Sequence, residues 1–156
     1  MRPLPYHCAG SFRFQYPNMR APRRRRPRTR EIGSPPEQTD LDELAERARY
    51  VGSPEHKDTA SFAGPPRLRA DASCCPREMA EDQPTINGWL RSAIRRGATG
   101  TPWEGAFPRY VWYKHEETVF EGRLVNRATG EYKGYPLDRD EWPTGVEEIY
   151  ADHVRN

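Results

Sequence analysis

Glu121 and Arg123 stand two residues apart in "TVFEGRLV", Thr118 to Val125, a run that alternates along its length. In a strand, side chains two apart share a face, so this carboxylate and this guanidinium point the same way. A five-residue turn, "NRATG", separates them from "EYKGYPL", Glu131 to Leu137, which carries Lys133 and Tyr135. With Tyr113 from the preceding aromatic run, one region gathers a carboxylate, cations and phenols. That set suits metal-independent phosphodiester cleavage. A carboxylate takes the proton of a ribose 2′-hydroxyl, cations stabilise the phosphorane, and an imidazole protonates the leaving oxygen. The catalytic candidates are Glu121, Lys133, Arg123 and His153, with His56 as the alternative imidazole. The same residues also fit a simpler arrangement. Glu121 and Arg123 would pair across strands with Lys133 and Glu131, while Tyr110, Trp112 and Phe120 face a helix.

The elements that must hold these groups read as α+β, with one or two helices packed on a three- or four-stranded antiparallel sheet. A first helix is expected over Leu41–Tyr50, capped by Asp40 with Glu43 completing a capping box. The strongest helix is Pro84–Arg96. Ile86, Trp89, Leu90, Ala93 and Ile94 fall on one face, Asp82 supplies a cap and Gly97 a stop. Gly88 suggests close packing against the sheet. "GATGTPWEGAFP" reads as a loop, and the strands follow: "RYVWYK" (Arg109–Lys114), Thr118–Val125 and Glu131–Leu137. Pro136 places the last of these at its end or at a sheet edge. "EWPTGVEEIYADH" adds a short helix or a fourth strand.

Domain organisation follows from composition. Sixteen prolines and twelve glycines in 156 residues, with a mean hydropathy of −1.04, imply long irregular segments. Residues 1–38 read as a disordered basic arm, and 39–156 as one small domain that is irregular over 51–80. Residues 1–30 contain nine arginines and no acid, whereas the other 126 carry 16 Lys and Arg against 23 Asp and Glu. The basic charge therefore belongs to the arm, where Arg23, Arg24, Arg25, Arg26, Arg28 and Arg30 make a nucleic-acid-binding set for RNA or another polyanion. Met19 is an alternative start to Met1.

Cys8, Cys74 and Cys75 make no disulfide framework, which fits a reducing cytoplasm. Adjacent cysteines with His56 lack the spacing of a zinc site, so neither metal nor cofactor is expected. No stretch approaches the length of a transmembrane helix, and no membrane partner is expected.

"FEGRL", a hairpin and the late "YADH" resemble the layout of barnase-like microbial ribonucleases, over residues 84–156. The resemblance implies a helix packed on an antiparallel sheet, with Glu121 as general base and His153 as general acid. The family's arginine after the hairpin turn has no clear counterpart here, and Lys133 is the nearest cation. Lysine does not grip phosphate through two parallel bonds as arginine does. The expected function is thus a nucleic-acid-directed, metal-independent ribonuclease-like domain. The alternative is a non-catalytic protein- or nucleic-acid-binding module that uses the arm and exposed aromatics. For a protein partner, Trp103 and Trp142 are the expected anchors, since aromatic residues dominate interfaces.

Overall fold

The computed structural model describes residues 30–52, 64–65 and 82–151. Helix α1 spans Leu41–Arg47, and Asp40 caps it by accepting from the Asp42 and Glu43 amides at 3.0 Å each. Glu43 reaches toward Arg47, one turn on, at 3.9 Å. The helix is shorter than its stripe suggests, because Ala48 turns extended and Arg49–Tyr50 become strand β1. Helix α2 spans Gln83–Arg95. Asp82 accepts from the Thr85 amide, and Gly97 follows the helix at φ 74°. Leu90, Ala93 and Ile94 are buried on its inner face. Gly88 is exposed with open space around it, so it does not mediate sheet packing.

Four strands then run in sequence: β2 (Thr99–Glu104), β3 (Phe107–His115), β4 (Thr118–Asn126) and β5 (Glu131–Leu137). The sheet has five strands in the order β1-β5-β4-β3-β2. It is mixed, not wholly antiparallel, because β1 joins β5 in parallel through Arg49↔Glu131 and Tyr50↔Tyr132. Two strands thus escape the sequence reading, each for a local reason. β1 is two residues long, too short for any alternation to register. β2 looks like a loop because of its glycine and proline, yet it pairs with β3 on both sides of a register shift between Gly100 and Trp103.

Gly100 is needed for a close approach and not for a turn. A Cβ there would collide with the Trp112 ring, so only glycine lets that indole lie against β2. β5 is flanked by β1 at Glu131 and Tyr132, and Pro136 lies beyond that contact. The C-terminal stretch becomes a 3₁₀ turn, Arg139–Glu141, and helix α3, Val146–Ala151.

β1 persists because α2 completes its outer edge. The Arg49 and Val51 amides donate to Gly130 and Tyr132 of the β5 side. Tyr50 points its own amide and carbonyl the other way, to Asn87 Oδ1 (2.6 Å) and Gln83 Nε2 (2.8 Å). Arg91 adds a donor to the Ala48 carbonyl at 3.5 Å. Gln83, Asn87 and Arg91 are spaced by four and so share one side of α2. They give a two-residue strand the partners that a neighbouring strand would otherwise supply.

The sheet carries a core on each face. On the helix side, Phe107, Val111, Leu124 and Tyr132 pack with Leu44, Leu90, Ala93 and Ile94. On the far side, Tyr110, Trp112, Val119, Tyr135 and Leu137 pack with Val146, covered in part by Ile32, Trp142 and Tyr150. Tyr110 and Trp112 therefore face away from α2, contrary to the sequence reading. The residues of β3 that turn toward the helices are Phe107, Val111 and Tyr113, the alternate set. Phe120 does lie on the helix side, 5.6 Å from Trp89 between ring centroids.

Candidate functional site

Glu121 sits on the far face at the middle of β4. Its strand neighbours in register are Trp112 on β3 and Tyr135 on β5. Both turn a donor to it: Trp112 Nε1 reaches Oε2 at 3.0 Å, and the Tyr135 hydroxyl reaches Oε1. A third donor, Arg30 Nη1, also meets Oε1 and forms an ion pair. The carboxylate is only 1% exposed, and Arg30 18%. Burying a carboxylate is costly unless its charge is met and its lone pairs are filled. Both conditions hold here.

Arg30 arrives along a fixed path. Thr144 donates its amide to the Arg30 carbonyl, and Ile32 donates to the Thr144 carbonyl at 2.9 Å. The Gly33 amide donates to the Thr99 carbonyl, and the Ile32 side chain packs against both cores. These contacts lay the Arg30 guanidinium over the Tyr110 ring, with Cζ 4.0 Å from the centroid. Burial works against the charge on Arg30, but the Glu121 carboxylate, by charge and hydrogen bond, together with Tyr110 and Tyr135, outweighs it, so the guanidinium pKa is raised.

One row along the strands, Tyr110, Arg123 and Lys133 stand in register across β3, β4 and β5. Arg123 and Lys133, both half-buried, thus share the face of Glu121, as the alternation requires. The pairing differs from the simple cross-strand expectation. Lys133 lies opposite Arg123, Glu121 is met by Arg30, and Glu131 pairs with Arg49 at 2.8 Å. Tyr113 is on the other face, stacked on Trp89 with centroids 4.9 Å apart. His56, His153, Arg23, Arg24, Arg25, Arg26 and Arg28 lie outside the described residues.

The two tryptophans expected as partner anchors are half-buried. Trp103 packs against the helix-side core, and Trp142 against the far core, with Arg139 4.1 Å above its ring. Among the described residues, the exposed large hydrophobic is Val125, 48% exposed. Asp138, Asp140 and Glu141 bring carboxylate oxygens within 4.8 Å of one another. Their visible work is capping, since Glu141 Oε1 accepts from the Asp138 amide at 3.2 Å.

A separate apolar hollow opens between α2 and the sheet, about 520 Å³ counting the space at its mouth, with Tyr50, Ile86, Trp89, Leu90 and Phe120 among its walls. Glu121 borders it through the sheet, but its carboxylate is on the opposite face. The hollow and the charged centre are therefore distinct.

Of the residues that matter, sequence reasoning found Glu121 and missed its anchor. Arg30 counts in the sequence as one arginine among nine in the arm, and no spacing links it to a position 91 residues on. Trp112 and Tyr135 were legible as strand residues but not as donors. Compared with protein-family models, curated proteins and solved structures, the chain matches none of them.

Proposed function

We propose that the protein is a non-catalytic nucleic-acid-binding module in which the folded domain presents the arginine-rich arm. The observation that carries this reading is the burial of Glu121 against Arg30. Arg30 closes the run that holds Arg23, Arg24, Arg25, Arg26 and Arg28. Anchoring it fixes the root of the arm on the sheet face that also bears Arg123 and Lys133. A single strand following the arm would meet those side chains next. The remaining 126 residues are net acidic, so positive charge must be concentrated along such a track to hold a polyanion.

The test is fluorescence anisotropy with a labelled single-stranded RNA over a salt series. Replacing Arg23, Arg24, Arg25 and Arg26 by alanine should weaken binding and flatten the salt slope by up to about 3, at ~0.7 per phosphate contact. An unchanged affinity and slope would remove the arm from the account.

A second reading, a metal-independent ribonuclease, has one observation in its favour: Glu121, Arg123, Lys133 and Tyr135 share a face. It requires Glu121 to give up Arg30 and reach a 2′-hydroxyl. Cleavage of RNA in EDTA that disappears in E121Q, with the variant still folded, would favour the enzyme over the module.

A further inference from the structure

The Glu121 centre divides into two halves of different origin. Its receptor half is Tyr110, Trp112, Glu121 and Tyr135, all from the adjacent strands β3, β4 and β5. Those strands form a single meander between Phe107 and Leu137, so the half is assembled without the arm. Its other half, among the described residues, is the Arg30 side chain, brought from 91 positions away.

The receptor half is chemically selective. Trp112 and Tyr135 supply neutral donors to the carboxylate, which leaves one negative charge still to be met. Beside that charge lies the Tyr110 face, 4.0 Å from the guanidinium carbon and itself stacked with Trp112. A carboxylate at the edge and an aromatic ring beneath suit a flat, weakly hydrated cation that donates in its own plane while it stacks. A compact ammonium fits such a slot less well, because it is strongly hydrated and presents no flat face.

We infer that the Glu121 centre is a binding site for a guanidinium group, filled here by the chain's own Arg30, and that it accepts an arginine side chain from another molecule when Arg30 is withdrawn. The backbone at Arg30 and just after it is held by contacts that do not involve the guanidinium. Thr144 bonds the Arg30 carbonyl and the Ile32 amide bonds Thr144, while Ile32 packs against both cores. Truncating Arg30 at its side chain therefore opens the slot and leaves those neighbours anchored. The slot stands whether or not the arm binds a polyanion.

Chemical rescue of full-length R30A tests this, with ethylguanidinium as the probe below denaturing concentrations and ethylammonium at equal ionic strength as the control. Thermal melts should show R30A regaining at least half of its lost melting temperature, saturably, with ethylguanidinium but not ethylammonium. Wild type should be unmoved, and R30A/E121Q should not respond. Equal responses of wild type and R30A, or equal effects of the two cations, would overturn the site. If R30A purifies unfolded, the same titration is followed by circular dichroism. Structure gained with ethylguanidinium alone is then the expected result, and no gain with either cation counts against it.

Discussion

The two faces of the sheet are held by different physics. The helix face is built from area: Phe107, Val111, Leu124 and Tyr132 lie under Leu90, Ala93 and Ile94, with rings and aliphatic chains in contact. The far face is smaller, and at its centre is a charge. Apolar burial is non-directional and degrades gradually as methylene groups are removed. A buried carboxylate depends on one partner in one place, and it fails abruptly when that partner goes. Glu121, which attracts attention as a catalytic group, has geometry suited to fastening a distant segment of chain.

The largest effect is expected from R30A. It leaves Glu121 buried without its cation, and the expected loss is about 3–5 kcal/mol in denaturant unfolding. The loss should hardly change with added sodium chloride, since a buried pair is little screened. Exposed pairs such as Arg95 with Asp42 should behave oppositely. A loss below about 1 kcal/mol would place the pair with ordinary surface contacts.

On the helix face, I94A should cost about 2–5 kcal/mol through lost transfer energy and the cavity it leaves. Its effect should be independent of salt and of the state of Arg30, because the two sites lie on opposite sides of the sheet.

Alkaline unfolding probes two phenols, Tyr132 in the helix-side core and Tyr150 packed against both cores. Burial pushes the Tyr132 phenol well above its ordinary value, with nearby Glu104 adding to the shift. Burial also raises Tyr150, against the lowering effects of Arg96 and a backbone hydrogen bond. A phenol whose folded pKa is raised stays protonated in the native state while the unfolded chain ionises. Stability from these groups is therefore complete below about pH 10 and is lost as pH rises beyond it. Each should remove about 1.4 kcal/mol per pH unit in that window. Unfolding followed from pH 9 to 11 should steepen in wild type and less so in Y132F. A flat profile would mean that the phenols are hydrated.

The smallest effect expected is at the β1 edge. N87A removes the acceptor of the Tyr50 amide and should cost about 1 kcal/mol, with faster amide exchange confined to residues 49–51. Exchange unchanged at Tyr50 would show that β1 does not depend on α2.

What the sequence discloses of this architecture follows the reach of local rules. Helix α2 and the β4–β5 hairpin are legible because their periodicity and turn residues lie within the segment itself. β2 is not legible, because its glycine serves a tryptophan on the next strand and not a turn. β1 is hidden by its brevity, although Gln83, Asn87 and Arg91 at spacing four do mark a polar stripe on α2 with something to hold. At the site, alternation correctly places Glu121 with Arg123, but it carries no information about Arg30. That pairing is decided by how the N-terminal segment is held between Thr144 and the Thr99 carbonyl of β2, a tertiary fact with no local signature.

Glu121 serves as the anchor of Arg30, and a double-mutant cycle of R30A, E121Q and R30A/E121Q measures that coupling directly. Removing the charge that R30A strands should recover stability, so the double variant should be more stable than the two single losses predict, by about 2 kcal/mol or more. Losses that add to within about 0.5 kcal/mol would mean that the two side chains act independently, and would contradict the account.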